Sequence, residues 1–203
     1  LQDNEAFFPT NVEGTEGRII QTHELRRGSK TLVNINQYQA IREAQRMGGY
    51  VLSLAEDLRV WVYARQHQGE DPKLKDYCKS VTDDIRFARW TRTQVHNLTS
   101  NRPLVVQVSQ LHPNFDFVSG YEPKVIEASW LPRTSGYVQK VDEQTGLPRR
   151  VGSEPNPDFN DAYFYINTKL DVAAIRVRGS GLVLNLNGVP SYANGVLGVR
   201  VAK

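Results

Sequence analysis

Few side chains of this 203-residue sequence have the spacing of catalytic or metal-binding groups. The histidines are scattered and lack the His-Glu-x-x-His pattern of a helical metal site; they are His23, His67, His96 and His112. The single cysteine, Cys78, excludes an intrachain disulfide, a multi-cysteine zinc site and a Cys-x-x-Cys redox pair. We therefore expect no catalytic residue, no metal and no cofactor, and a thiol that packs in the core rather than acting as a nucleophile.

Four short motifs could also carry chemistry, and each has a simpler interpretation. The oxygen-rich residues 83–84 and 158–161 could bind calcium, but they lack EF-hand spacing, which favours solvated turns. Residues 179–181, Gly-Ser-Gly, lie between predicted strands and not at the strand-to-helix junction of a phosphate loop. Residues 97–99 match a glycosylation sequon, a pattern that is common by chance. These residues favour a binding module over an enzyme.

The charge balance of the chain is mild. Its 25 Lys and Arg residues exceed its 22 Asp and Glu residues by only three. No stretch concentrates basic residues with interleaved aromatics, as a nucleic-acid-binding surface does. No window approaches 18 consecutive apolar residues, the length that a membrane-spanning helix requires. We therefore expect neither a nucleic-acid partner nor a membrane span.

Two helices are predicted in the first third of the chain. Residues 36–47 place four apolar side chains on one helical stripe; they are Tyr38, Ile41, Ala44 and Met47. The glycines at 48–49 end this helix. Ser53 and Glu56 then form a capping-box pattern, which predicts a second helix over about 54–66.

The remaining chain is expected to form one domain behind an N-terminal arm. Residues 1–30 are polar and predict an arm with one short strand at 18–21, and residues 31–203 predict a single domain. Within residues 69–103 we expect one further short helix. Residues 111–165 are rich in Pro, Gly, Ser and Asn, which predicts an ordered, functional insertion rather than regular structure.

Strands dominate the end of the sequence. The run 104–108 reads as one strand, and apolar residues alternate with a period of two over residues 173–178, 182–187 and 197–201. Alternation in three consecutive runs predicts antiparallel strands with one buried face. Helices followed by strands indicate a single α+β domain.

Three segments resemble a known family, in the order in which that family has them. Residues 175–202 are similar to the end of C-type-lectin-fold domains of the formylglycine-generating-enzyme type, with their terminal strands and Asn-rich loop. Residues 40–65 resemble the helix, Gly-Gly turn and second helix of that family. Val125 to Trp130 resemble its Val-Trp-Glu-Trp-Thr element. The resemblance implies a C-type lectin fold with two helices, a mostly antiparallel sheet, and long loops and insertions.

Within that family, residues 184–198 are most similar to the variable region of proteins diversified by retroelements. The templates of such regions read Leu-Asn-Leu-Asn-Asn-Ala-Pro-Ser, then several Asn, then Ile-Gly, and mutagenesis at adenines converts Asn codons into Tyr, Asp, Gly, Val or Ala. This chain carries residues of that kind at several of these positions; they are Gly188, Val189, Tyr192, Ala193, Gly195 and Val196. It departs from the family at residues 178–181, where Arg-Gly-Ser-Gly replaces Gly-Gly-Ser-Trp.

The resemblance implies a non-enzymatic binding protein, a diversity-generating-retroelement target with a variable region at about 175–200. Its partner would be a protein or glycan at a cell or virion surface. The expected ligand-binding residues are Arg176, Arg178, Gly188, Val189, Tyr192, Ala193, Asn194, Gly195 and Val196. The alternatives are a lectin-fold module that is not diversified and a formylglycine-generating-type oxidase. Such an oxidase needs a cysteine pair near the C-terminus, whereas Cys78 lies far upstream.

These binding residues are expected to form one exposed patch. Residues 188–196 are rich in turn-forming residues between two strands, and burial would leave their backbone groups without partners. The alternating residues of the flanking strands should instead be buried. They are Leu182, Leu184, Leu186, Leu197, Val199 and Val201.

Overall fold

The computed structural model describes a large part of the chain. The described residues are 5–8, 18–21, 36–46, 48–70, 72, 74–75, 78, 88–108, 124–178, 182–192, 197–199 and 201–202.

Both predicted helices are present. Helix α1 spans Gln37–Arg46, and helix α2 spans Leu54–His67. The predicted capping box of α2 is confirmed: the Glu56 N–H donates to Ser53 Oγ at 3.2 Å, and the Ser53 N–H donates to Glu56 Oε2 at 2.8 Å. These bonds satisfy N–H groups that the first turn of a helix leaves without acceptors. Residues 72, 74, 75 and 78 are also helical, in agreement with the further short helix expected there.

Strands make up most of the remaining described chain. They are β1 (Glu5–Phe8), β2 (Arg18–Gln21), β3 (Tyr50–Val51), β4 (Ala88–His96), β5 (Leu104–Gln107), β6 (Lys124–Glu127), β7 (Gly136–Val141), β8 (Pro148–Gly152), β9 (Tyr163–Ile166), β10 (Ala173–Arg178), β11 (Val183–Gly188), β12 (Leu197–Val199) and β13 (Val201–Ala202). The predicted strand at 18–21 is confirmed, whereas β1 was not predicted.

Among the described residues, these strands form two sheets. The larger has the order β6-β5-β4-β10-β11-β9-β7-β8, with β12 beside β4. Its pairings are antiparallel except for β11 with β9 and β12 with β4. The smaller sheet has the order β1-β2-β13-β3, so that β2 pairs with β13, near the other end of the chain. The α+β class and the mostly antiparallel sheet are confirmed.

The two helices pack on opposite faces of the larger sheet. The Ile175 side chain belongs to the large core with Trp61 of α2, and the neighbouring Ala174 belongs to a smaller core with Ile41 of α1. Successive residues of a strand point to opposite faces. Strand β10 therefore separates the two cores, and α1 covers only part of its own face.

One expectation about the middle of the chain is wrong. Residues 124–166 are not an irregular insertion, because they contain β6, β7, β8, β9 and a 3-10 turn at Pro157–Phe159. The prolines lie at strand ends and turns, where a missing N–H removes no sheet hydrogen bond. The first part of that segment, 111–123, lies outside the described residues.

Candidate functional site

The chain after β11 begins with a tight turn. The Tyr192 N–H donates to the Val189 carbonyl oxygen at 2.9 Å and closes a four-residue turn. The side chains of Val189 and Tyr192 are 42% and 55% exposed, as the sequence predicts for these two positions. The turn thus presents one aliphatic and one aromatic side chain to solvent.

The N-terminus of α1 holds this turn. The Gln37 N–H donates to the Pro190 carbonyl oxygen at 3.0 Å, and Asn36 Nδ2 donates to the Ser191 carbonyl oxygen at 3.3 Å. The Gln37 N–H has no acceptor within the helix, so the turn supplies one. Asn36 is itself fixed, because it exchanges two 2.8 Å hydrogen bonds with Gln39 in a capping box. We refer to residues 189–192, held in this way, as the anchored turn.

A chain of buried amides continues from the anchored turn into the sheet. Gln37 and Gln94 are fully buried, and Gln94 Nε2 donates to Gln37 Oε1 at 2.6 Å. Gln37 Nε2 donates to the Thr91 carbonyl oxygen at 2.6 Å, and His96 Nε2 lies 2.7 Å from Gln94 Oε1. Burial lowers the pKa of His96 below its ordinary value, and the negative charge of Asp171 opposes this shift only in part.

The expectation of exposure is wrong for Gly188. Its backbone packs against the sheet, and a Cβ atom there would lie 2.8 Å from the Trp90 ring and 2.9 Å from the Ala174 carbonyl oxygen. Both distances are shorter than side-chain contacts allow, and Gly188 itself is buried. Glycine is at this position because the backbone approaches an aromatic ring closely. Gly188 therefore cannot present a varied side chain to a ligand.

Of the two predicted arginines on β10, Arg176 and Arg178, only Arg176 has a described side chain. The Arg176 side chain is half-buried: its guanidinium lies 5.6 Å from the Trp90 ring centroid, and Nη2 donates to Asn187 Oδ1 at 2.5 Å. Such contacts hold a cation in one orientation. Arg178 pairs with Val183 across β10 and β11, but its side chain lies outside the described part of the structure.

The other predicted positions divide between buried and undescribed residues. Leu182, Leu184 and Leu186 are buried, as predicted. Leu197 and Val199 lie on β12 and Val201 lies on β13, and their side chains are not among those described. The predicted binding residues Ala193, Asn194, Gly195 and Val196 lie outside the described residues. Of the predicted patch, the structure brings Val189 and Tyr192 together and places Arg176 on the adjoining strand.

A row of side chains not predicted from the sequence lies on the same side of the larger sheet as α1. Residues in register across a sheet project from the same face, and one such row runs from the α1-covered Trp90 through Arg176 and Asn185 to Tyr165. Tyr165 is 45% exposed, and Asn185 is half-buried. Tyr163 and Tyr137 are paired in register in a neighbouring row across β9 and β7. Their rings meet edge to face, with the centroids 5.2 Å apart. We refer to this surface, residues 137, 163, 165, 176, 185 and 187, as the open face.

A signal for the open face was present in the sequence. Residues 163–166, Tyr-Phe-Tyr-Ile, form a strand in which buried Phe164 and Ile166 separate two more accessible tyrosines. The irregular interpretation of 111–165 obscured this strand. Its parallel pairing with β11 could not be read from either segment alone.

The described residues contain little that resembles catalytic machinery. Among them, no group of three or more His, Cys, Asp and Glu side chains could hold a metal ion. Cys78 is 6% exposed and packs in the large core. Burial would raise the pKa of Asp142, but hydrogen bonds from Arg149 and Thr145 and the charge of Arg149 hold it below its usual value. His23, His112 and residues 83–84 and 179–181 lie outside the described residues.

A separate cleft of about 840 Å³ lies between α2 and the chain from β7 to β9. Its walls are mostly apolar and include Leu58, Val62, Val138 and Phe159. Arg59 crosses the cleft, since its Nη2 donates to the Glu143 carbonyl oxygen at 2.9 Å. The cleft lies on the α2 side of the sheet, and the open face and anchored turn lie on the α1 side.

Comparison with protein-family models, curated proteins and solved structures gave no match. Among the described helices, none combines the length and the apolar character needed to cross a membrane.

Proposed function

We propose that this protein is a ligand-binding protein of the C-type lectin fold whose specificity depends on varied side chains near its C-terminus. The anchored turn is the observation that carries the proposal. It exposes Val189 and Tyr192 while hydrogen bonds from Asn36 and from Gln37, the first residue of α1, fix its backbone. A surface whose backbone is already ordered loses little entropy on binding, which favours affinity.

The composition of the surface also supports binding. Tyr192 and Tyr165 are large and exposed, and Asn185, Asn187 and Arg176 lie on the same side of the sheet as Tyr165. Tyrosine, asparagine and arginine are the residues in which paratopes are rich, because they combine contact area, adaptable hydrogen bonding and low entropic loss. The partner in this proposal is a protein or a glycan at a cell or virion surface.

Diversification by a retroelement is part of the proposal and concerns fewer positions than the resemblance implies. Gly188 is not among them, because its backbone is packed against Trp90. The decisive observation is the DNA that flanks the coding sequence. A reverse-transcriptase gene and a near-copy of codons 175–200 that differs only at adenines would support diversification, and a locus with neither would leave the alternative of a lectin-fold module that is not diversified.

The binding role can be tested without knowledge of the natural ligand. A display library randomised at Arg176, Val189 and Tyr192 should yield specific binders to an immobilised folded protein, such as serum albumin, or to an immobilised glycan. A matched library randomised at Val62, Val125 and Lys140, which are exposed elsewhere, is the control. Equal success of the two libraries, or no binder from the first, would contradict the proposal.

A further inference from the structure

We infer that Gln37 and Gln94 are positioning residues for the anchored turn, although both are fully buried and neither side chain lies on the open face. The inference rests on the proposed function, since it assigns to these two amides the geometry of the binding surface. Its basis is an unbroken run of short hydrogen bonds from His96 to Pro190.

The first link is the backbone of Gln37. Its N–H reaches the Pro190 carbonyl oxygen at 3.0 Å, so the location of the turn follows the location of the first residue of α1. A helix end is free to fray unless a side chain or a tertiary contact fixes it. The placement of the Gln37 backbone is therefore a condition for the placement of the turn.

The second link is the side chain of Gln37. It donates to the Thr91 carbonyl oxygen at 2.6 Å and accepts from Gln94 Nε2 at 2.6 Å. Both partners are on β4, the strand in the middle of the larger sheet. A buried amide with all its groups paired has one favourable orientation, because any other leaves a donor or acceptor unsatisfied.

The third link fixes the orientation of Gln94 itself. A side-chain amide can be turned over to exchange its oxygen and nitrogen. The Thr91 carbonyl oxygen can only accept, so Gln37 presents its Nε2 to Thr91 and its Oε1 to Gln94. Gln94 Nε2 therefore faces Gln37, and Gln94 Oε1 faces His96 Nε2 at 2.7 Å. The three side chains thus select a single arrangement, which ends at the exposed turn.

The chain offers a matched control at Gln107. This residue is also a buried glutamine on the sheet, and Thr93 Oγ1 donates to its Oε1 at 2.9 Å. Thr93 Oγ1 in turn accepts from the Leu54 N–H at 3.0 Å. The Gln107 side chain therefore leads through the Thr93 hydroxyl to the N-terminus of α2, and Thr93 meets Gln37 only through its backbone carbonyl oxygen, at 3.4 Å.

The test compares amide hydrogen exchange in Gln94→Met and Gln107→Met with that of the unchanged chain. Methionine keeps the length of the side chain and removes its hydrogen-bonding groups. For Gln94→Met, the protection factors of the Gln37 and Tyr192 amides should fall about tenfold, the factor that the loss of one hydrogen bond produces. The protection factor of the Leu54 amide should stay constant. Gln107→Met should show the reverse pattern. If Gln94→Met does not fold, Gln37→Met breaks the same amide contact from the other side.

The outcomes separate this inference from the proposed function. Unchanged protection at Gln37 and Tyr192 in Gln94→Met, or equal loss in both variants, would overturn the positioning role even if the library yields binders. A library without binders would overturn the proposed function and leave the exchange result intact.

In an albumin-selected member of the library, Gln94→Met should weaken binding about tenfold, whereas Gln107→Met should not. Equal weakening by both would also overturn the inference.

Discussion

The two faces of β10 and β11 are made from adjacent residues of the same strands, yet they have opposite properties. One face buries Ile175, Val177, Leu184 and Leu186 against α2. The other carries Arg176, Asn185 and Asn187, all half-buried, beyond the edge of α1. Because side chains of a strand alternate between faces, one face can hold the fold while the other changes. A binding protein can therefore vary its surface without rebuilding its core.

The two faces differ in burial only where α1 does not cover the sheet. Ala174 and Gly188 lie on the same side of the sheet as Arg176, but they are buried together with Trp90. The open face thus has a sharp boundary, set by the helix and not by the strands. Position along a strand is as important as which side of the sheet a residue occupies.

The largest effect should come from the buried face. Leu184→Ala removes a fully buried side chain from the large core, and we expect a loss of about 2–5 kcal/mol in the free energy of unfolding. Urea denaturation followed by tryptophan fluorescence measures it. A loss below about 1 kcal/mol would mean that this face is not the packed one, and the comparison between the faces would fail.

The second effect concerns the boundary. Gly188→Ala places a Cβ atom 2.8 Å from the Trp90 ring and 2.9 Å from the Ala174 carbonyl oxygen, so the backbone must move. We expect a loss of about 1–3 kcal/mol, the usual penalty of overpacking. Val189→Ala, one residue further along, is the control and should change unfolding little. If Gly188→Ala is equally neutral, Gly188 belongs to the open face after all.

Much of this fold could be predicted from local patterns. The helix at Gln37–Arg46, the capping box of α2 and the buried leucines of β11 each depend on residues that are close together in the sequence. The strands between 124 and 166 could not be predicted in this way. They are short, and β6 and β9 are stabilised by pairing with β5 and β11, which lie outside the segment, more than by their own composition.

The candidate site could be predicted only in part, because some of its features depend on neighbouring residues and others on contacts between distant ones. Exposure of Val189 and Tyr192 follows from local turn chemistry, whereas burial of Gly188 depends on Trp90, almost a hundred residues earlier. The contribution of Tyr165 to the open face depends on a parallel pairing with β11. Contacts that are distant in sequence leave no periodic signal, so a single sequence does not disclose them.

A smaller effect should appear as a dependence of stability on pH. The folded-state pKa of His96 is lowered, mainly by burial, so the unfolded chain binds a proton more readily than the folded one. The stabilisation from neutral His96 is therefore complete above the unfolded pKa, near 6.5, and is lost as the pH falls through the lower folded value. Denaturation at several pH values, compared with His96→Gln, measures this. Equal acid sensitivity in both proteins would contradict it.

The smallest effect should come from the exposed side chains of the anchored turn. The double substitution Val189→Ala and Tyr192→Ala removes groups that are 42% and 55% exposed and leaves the backbone hydrogen bonds from Asn36 and Gln37 in place. We expect a change within about 0.5 kcal/mol in the free energy of unfolding, measured beside Leu184→Ala under the same conditions. A loss above about 1.5 kcal/mol would mean that these side chains pack in the folded state. They could then not vary freely, and the anchored turn would have to be regarded as part of the structural framework.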